Sequence, residues 1–368
     1  MNVLFLAVEG LQLAYLGCYG NDEIDTPAVD RLAAEGIVFD RHILDQIDPP
    51  GWRTGRYSLL TLEAESSPPA VDLVDVLRRE GVSVFEFASP AACCSAMEQL
   101  TVAKSWFGIV TFPSLLPPWQ IDTAELDEES SEWPIVPAPP IGVVDEAERR
   151  RMYFSLKRTY SLAVEAFDAD LLELLESLRQ SGVLDNTLLV LFSTRGLALA
   201  EHGIVGDCRP WLYEEVAHLP LICRLPKSEQ AGRHVRALTQ PVDWFATVLE
   251  CFEINAPQCH GRSLFPLMHS VGFEWREFAV SGWQVGSELE WALRSQDWAY
   301  RYPVREGEEE PSGHQLFVKP EDRWEVNDVA GHHLELAESF AKTLSDFVKA
   351  SRQPGPLPAM TLPADSGD

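Results

Sequence analysis

Positive charge is scarce in this chain. Its 368 residues carry 29 Lys and Arg against 57 Asp and Glu, for a net charge of −28. A surface that acidic repels polyanions, which argues against nucleic acid and anionic membrane faces as partners. An anionic substrate is also disfavoured unless a local basic pocket overrides the field, and solubility is the simplest use of the surplus. Long apolar runs are lacking too: no stretch reaches the ~20 residues needed to cross a bilayer. The opening MNVLFLAVEG is short in its apolar part, has no basic start and is followed by no small-residue cleavage site. It is expected to be a buried first strand and not a secretion signal. The seven cysteines have no zinc-ligand spacing, and Cys93 and Cys94 are adjacent and poorly placed to pair with each other. Reduced thiols in a cytoplasmic protein are the expectation. Internal repeats are absent.

What is present is enough apolar sequence, 46% of residues, for a large core. Residues 2–8 form a continuous apolar run, the pattern of a strand buried on both faces. TPAVDRLAAEG at 26–36 reads as a helix with Thr26 as N-cap and Pro27 in its first turn. Further helices are predicted over 71–80, about 146–181 and about 332–350, and further strands over 82–87, 105–112, 187–192 and 219–224. The alternation predicts an α/β fold with a large, mainly parallel mixed sheet sandwiched by helices. Residues 113–148, rich in proline and acid, read as a surface excursion within a first domain at 1–270. From 271 to 352 short aromatic-rich alternating runs precede the last helix, predicting a small antiparallel sheet plus helix. The aromatic sheet (Trp275, Trp283, Trp291, Trp298) is expected mainly as core. The tail 353–368 is expected to lack structure.

Five segments, in order, resemble landmarks of the sulfatase family of the alkaline phosphatase superfamily. NVLFLAVEGLQLAYLGCYGNDEIDTPAVDRLAAEGIVFD resembles its opening strand, "GCYG" loop and "TPNIDRLAAEGVVF" helix. YSLAVEAFDADLLELLESLRQSGVLDNTLLVLFSTRG resembles the long helix leading into "GLLDNTLVVFTSDHG". EHGIVGDCRPWLYEEVAHLPLICRLP, QPVDWFATVLECFEINAPQCHGRSLFPLM, and WALRSQDWAYRYP with LFVKPEDRWEVNDVAG resemble the remaining landmarks.

The resemblance implies a calcium ion held by two aspartates after the first strand and by Asp with Asn or His after "TS". A hard cation wants several charged oxygen ligands. The positions here are Glu9 and Gly10, then Thr194 and Arg195, and a guanidinium cannot shed its proton to coordinate. Calcium is therefore expected to be absent, and no other metal or cofactor is called for. The family's formylglycine motif "C/S-x-P-S-R" corresponds to HILDQIDPPGWRTGRYS, which has neither Cys nor Ser before Ser58. Asp45 and Asp48 are the weak nucleophile candidates there, and Arg53 and Arg56 match the "LTGRY" ending. The "GKWH" motif falls on Ala88, Ser89, Pro90 and Ala91, "DPHDPW" falls on residues 114–119 with Leu116 at the His, and the "GLWGK" lysine falls on Asp207. Few cations remain to stabilise an anionic transition state.

No catalytic residue is assigned. The expectation is an inactive sulfatase-like protein whose pocket, lined by Trp52, Trp119, Leu116 and His202, suits a neutral saccharide or a protein partner such as an active sulfatase. The alternative is a divergent hydrolase of sulfate or phosphate esters with a metal-independent site built from Asp45, Asp48, Thr194 or His202. Arg195 is expected to take the ion's place by pairing with Glu9, largely buried, so that removing either partner costs about 3–5 kcal/mol.

Overall fold

A computed structural model of the protein describes residues 1–58, 71–121, 132–255, 259–269, 275–304, 313–353 and 355–362. The chain forms two compact units that interleave in sequence. The first comprises Met1–Val38, Ser83–Cys208 and Leu219–His234, and the second Phe39–Val82, Arg209–His218 and Val235–Asp368.

The first unit is organised by a seven-stranded sheet. From edge to edge its strands are Arg233–Val235, Ile37–Phe39, Leu221–Arg224, Thr187–Ser193, Asn2–Val8, Trp106–Thr111 and Ser83–Phe87. Asn2–Val8 pairs in parallel with Thr187–Ser193 and with Trp106–Thr111, while Leu221–Arg224 runs antiparallel to its neighbours. The two central strands are buried at every residue, which is why both read as unbroken apolar runs. On one face Leu4, Leu6 and Val8 join a core with Leu156, Val164, Leu171 and Leu175 of the helix Glu146–Gln180. On the other, Phe5 meets Phe107 and Phe192 edge-on, at 5.1 and 5.3 Å.

The long helix starts where its capping box dictates, with Asp145 and Glu148 bonding each other's backbone amides. The helix Pro27–Ala34 starts where expected, after Thr26 and with Pro27 in its first turn, but its capping bonds come from elsewhere. Thr26 makes no capping bond; its Oγ1 accepts from the Gly17 amide instead. The orphan amides of Ala28 and Val29 donate to Asp168 of the long helix, at 3.0 and 2.9 Å. The excursion at 113–148 is more structured than its composition implies. Trp119 is buried and a short strand forms at Gly142–Val143; residues 122–131 of that excursion lie outside the described residues.

The second unit contains the four-stranded antiparallel sheet Phe278–Val285, Glu288–Ser295, Trp298–Val304 and Gln315–Val318. The helix Leu334–Ser351 packs on it through Phe340, Leu344 and Phe347. Of the sheet's tryptophans Trp283 is buried, while Trp291 and Trp298 pack against that core half-buried. The tail departs from expectation: Leu357, Met360 and Leu362 pack on the same cluster. Pro354 and 363–368 lie outside the described residues.

Candidate functional site

Parallel pairing brings the ends of two strands together. Val8 lies opposite Ser193, so Glu9 and Arg195 leave the sheet side by side. The Thr194 amide donates to the Val8 carbonyl at 2.8 Å, and the Gly10 amide to the Arg195 carbonyl at 3.0 Å. Ser193 Oγ closes the corner by accepting from the Leu11 amide and donating to the Arg195 carbonyl, the first bond at 3.2 Å and the second at 2.6 Å. The two side chains are therefore aimed from rigid backbone.

Arg195 pairs with Glu9, as its sequence position led one to expect. Nε and Nη2 donate to Glu9 Oε1 at 3.2 and 3.1 Å. A third group, not anticipated, completes the arrangement: Nη1 donates to Asp207 Oδ2. Asp207, which the resemblance sets against a lysine, is thus an acid paired with this guanidinium. Glu9 Oε2 accepts from Ser114 Oγ at 3.0 Å. Burial pushes the Asp207 carboxyl above its ordinary range, against the pull of Arg195. The pairing is less buried than the sequence reading expected. Arg195 is 12% exposed in its side chain, but Glu9 is 43% exposed, because it stands at the strand end beyond the sheet.

Calcium does not fit these residues. Both carboxylates in reach already accept from the guanidinium, and its fixed charge opposes a cation by about 4 kcal/mol per unit charge at ~4 Å. Among the described residues no cluster of three or more His, Cys, Asp or Glu could hold a metal ion. Nor can the missing aspartate simply be restored at Gly10. That residue has φ +84°, and a Cβ there would lie 2.8 Å from Leu116 Cδ2 and 3.1 Å from the backbone of Leu115 and Leu116. Leu116 occupies the space beside Gly10, so the two replacements depend on each other.

The other sequence candidates fall elsewhere. Ser89 caps the helix Pro90–Ser95, accepting from the Ala92 amide at 3.2 Å, with Ala91 exposed in its first turn. The segment aligned to "GKWH" is therefore a helix start, which Ser-Pro could have signalled. Trp119, expected to line the pocket, is a core residue. Its Nε1 donates to the Leu115 carbonyl and its ring meets Tyr160 edge-on. Among the described residues Thr194 Oγ1 reaches the Val8 carbonyl, at 3.5 Å, and His202 is half-buried in the first unit.

Asp45, Asp48, Arg53 and Trp52 belong to the second unit. Asp45 is fully buried, and its two oxygens accept from the amides of Gln46 and Val242 at 2.6 and 2.7 Å. Burial raises its carboxyl to about 7. It lies so close to Gly51 that a Cβ there would overlap it. Both its oxygens hold backbone, so it is a loop anchor with no open face for a substrate. Asp48 is exposed, Arg53 pairs with Asp72, and Trp52 is buried.

Comparison with known proteins gives these positions their context. Residues 117–254 match the sulfatase family model. The chain is 28% identical over 210 residues to an N-acetylglucosamine-6-O-sulfatase of Bacteroides thetaiotaomicron, covering 55% of this chain and 34% of that protein. It is also 28% identical over 136 residues to a multifunctional alkaline phosphatase superfamily protein of Trinickia caryophylli, covering 36% and 25%. The chain thus spans about a third or less of the length of these relatives. Among solved structures, a phosphonate monoester hydrolase of Agrobacterium radiobacter superposes with a TM-score of 0.77 at 16% identity, covering 96% of each chain. The protein BT4656, solved with its substrate D-glucosamine-2-N,6-O-disulfate, gives 0.72 at 17% identity over 95% and 98%. The fold is that of the alkaline phosphatase and sulfatase structures.

Proposed function

We propose that this chain, which carries a sulfatase-family domain over residues 117–254, keeps that scaffold without its hydrolytic chemistry and acts by binding. One observation carries the reading: a guanidinium, bonded to Glu9 and Asp207, stands where the resemblance implies a cation's ligands. Arginine at neutral pH neither coordinates a metal nor accepts a proton, so it can serve neither as ligand nor as base. The divergent-hydrolase reading is weakened by the burial of Asp45, whose oxygens are committed to backbone amides.

The role that remains is recognition of a neutral saccharide or of a protein such as an active sulfatase. A strand end with one guanidinium against two carboxylates suits uncharged polar groups better than sulfate esters. Seven free thiols support a reducing, cytoplasmic location. No helix among the described residues is long and apolar enough to cross a membrane.

The test is turnover. Pure protein is incubated with aryl sulfate, aryl phosphate and aryl phosphonate esters, with calcium and with a chelator. The expected result is release no faster than the uncatalysed background in every arm. Calcium-dependent turnover that the chelator abolishes would overturn the reading.

A further inference from the structure

The second unit holds a cavity of about 560 Å³, a size that suits a small organic molecule. Leu238, Leu336, Phe340 and Trp298 give it apolar walls, and Leu362 of the C-terminal tail also lines it. Arg41, Arg236 and Arg276 also line it. Three guanidiniums on one cavity are unexpected in a chain whose acids outnumber its bases 57 to 29.

The three differ in what they have to bond. Arg276 is committed to the fully buried Asp243. Arg236 is largely in solvent, 3.9 Å from Asp40, beyond hydrogen-bond reach. Arg41 is half-buried, and among the described residues its guanidinium has no hydrogen-bond acceptor and no ion pair. Burial, and after it the charge of Arg294, lower the Arg41 pKa, with Asp297 and Asp40 opposing. Arg294 itself has Nε and Nη1 buried without partners. A guanidinium keeps its proton under such conditions, and the Arg41 donors, which are not sealed from solvent, are open to an incoming acceptor.

We propose that this cavity binds a small organic anion, its oxyanion head group accepting from Arg41 with Arg236 at the rim, and its apolar body lying on Leu238, Phe340 and Trp298. The acids on the wall select the charge. Glu277 already accepts from the Leu362 amide at 2.8 Å, and Asp297 also faces the cavity. Both repel a dianion about twice as strongly as a monoanion, so they weigh against a dianionic phosphate more than against a carboxylate or sulfonate.

The full chain is titrated with 2-naphthoate and 8-anilinonaphthalene-1-sulfonate, followed by calorimetry and fluorescence, with 2-naphthalenemethanol and naphthyl phosphate as counterparts. Saturable binding of the two monoanions is expected, with the alcohol and the phosphate bound far more weakly. Arg41→Gln weakens the monoanions about tenfold or more, the loss of a charge-assisted hydrogen bond. Arg41→Lys retains most of the affinity, and Arg323→Gln, at an exposed arginine outside the cavity, leaves it unchanged. Because Arg41 has no side-chain partner to lose among the described residues, Arg41→Gln is expected to melt at or above the parent temperature. The proposal fails if the monoanions do not saturate, if the alcohol or the phosphate binds as well, or if Arg41→Gln leaves binding unchanged. It also fails if that variant unfolds, since Arg41 would then be bonded within the protein.

Discussion

Arg195 holds two carboxylates that would otherwise face each other at the end of the sheet. Its replacement by methionine keeps the length and removes the charge, leaving Glu9 and Asp207 to repel. The expected cost is about 1–3 kcal/mol. That is less than the 3–5 of a wholly buried pair, because Glu9 is 43% exposed and water screens it. It is more than the ~1 kcal/mol ceiling of an exposed pair, because Arg195 itself is 12% exposed. Urea unfolding of Arg195→Met checks this. An unchanged midpoint would mean that the guanidinium does not balance the strand end. The same residue shows what a single position in a sequence can disclose. Arginine beside a glutamate on adjoining strands was legible as a pair, since strand order followed from the resemblance. Asp207 was legible only as a reversed charge, because its partner is set by the loop's path.

At the scale of elements, continuous burial is what makes a sequence readable. The first strand falls where its apolar run predicts, and the long helix ends at Gln180, one residue short of expectation. Both are decided by local pattern and local caps. The start of Pro27–Ala34 falls where the sequence placed it, but the capping bonds were misread because they come from a residue 140 positions away. No local motif reports an aspartate on another helix. Asp168→Ala is therefore expected to cost about 1–2 kcal/mol, the range of a lost N-cap, although Asp168 lies mid-helix where alanine is favoured by propensity. Thr26→Ala, which removes a single bond to the Gly17 amide, should cost about 1 kcal/mol or less. Thermal melts of the two variants decide between the local and the distant cap: a larger loss for Thr26→Ala would restore the sequence reading. The helix at Pro90–Ser95 was missed for a different reason. The resemblance set a motif on those residues, and the Ser-Pro start signal was not weighed against it.

For the molecule as a whole, buried groups that titrate in opposite senses contribute to acid stability. Burial lowers His42 to about 3 and His260 to about 4. The unfolded chain takes up those protons near pH 6.5, so the stability they contribute is present above that pH and is lost as pH falls toward the folded values. Asp45 works the other way. Burial raises it to about 7, so its contribution is complete below the ordinary carboxylate range and is lost as pH rises through about 7. Between pH 6 and 4.5 two histidines lose against one aspartate that gains, a net slope near one proton, or about 1.4 kcal/mol per pH unit, from these three groups. His42→Gln removes one of the losing groups, so the remaining pair should nearly cancel and the slope should flatten by about that amount. Asp45→Asn removes the gaining group, so the slope should steepen by a similar amount, whatever fixed penalty the lost backbone bonds add at every pH. Urea midpoints for the parent and both variants at pH 6.0, 5.3 and 4.5 separate the slopes from the fixed costs. Three parallel lines would show that neither burial shifts a proton, and Asp45 would then be an ionised anchor held by its two amide donors.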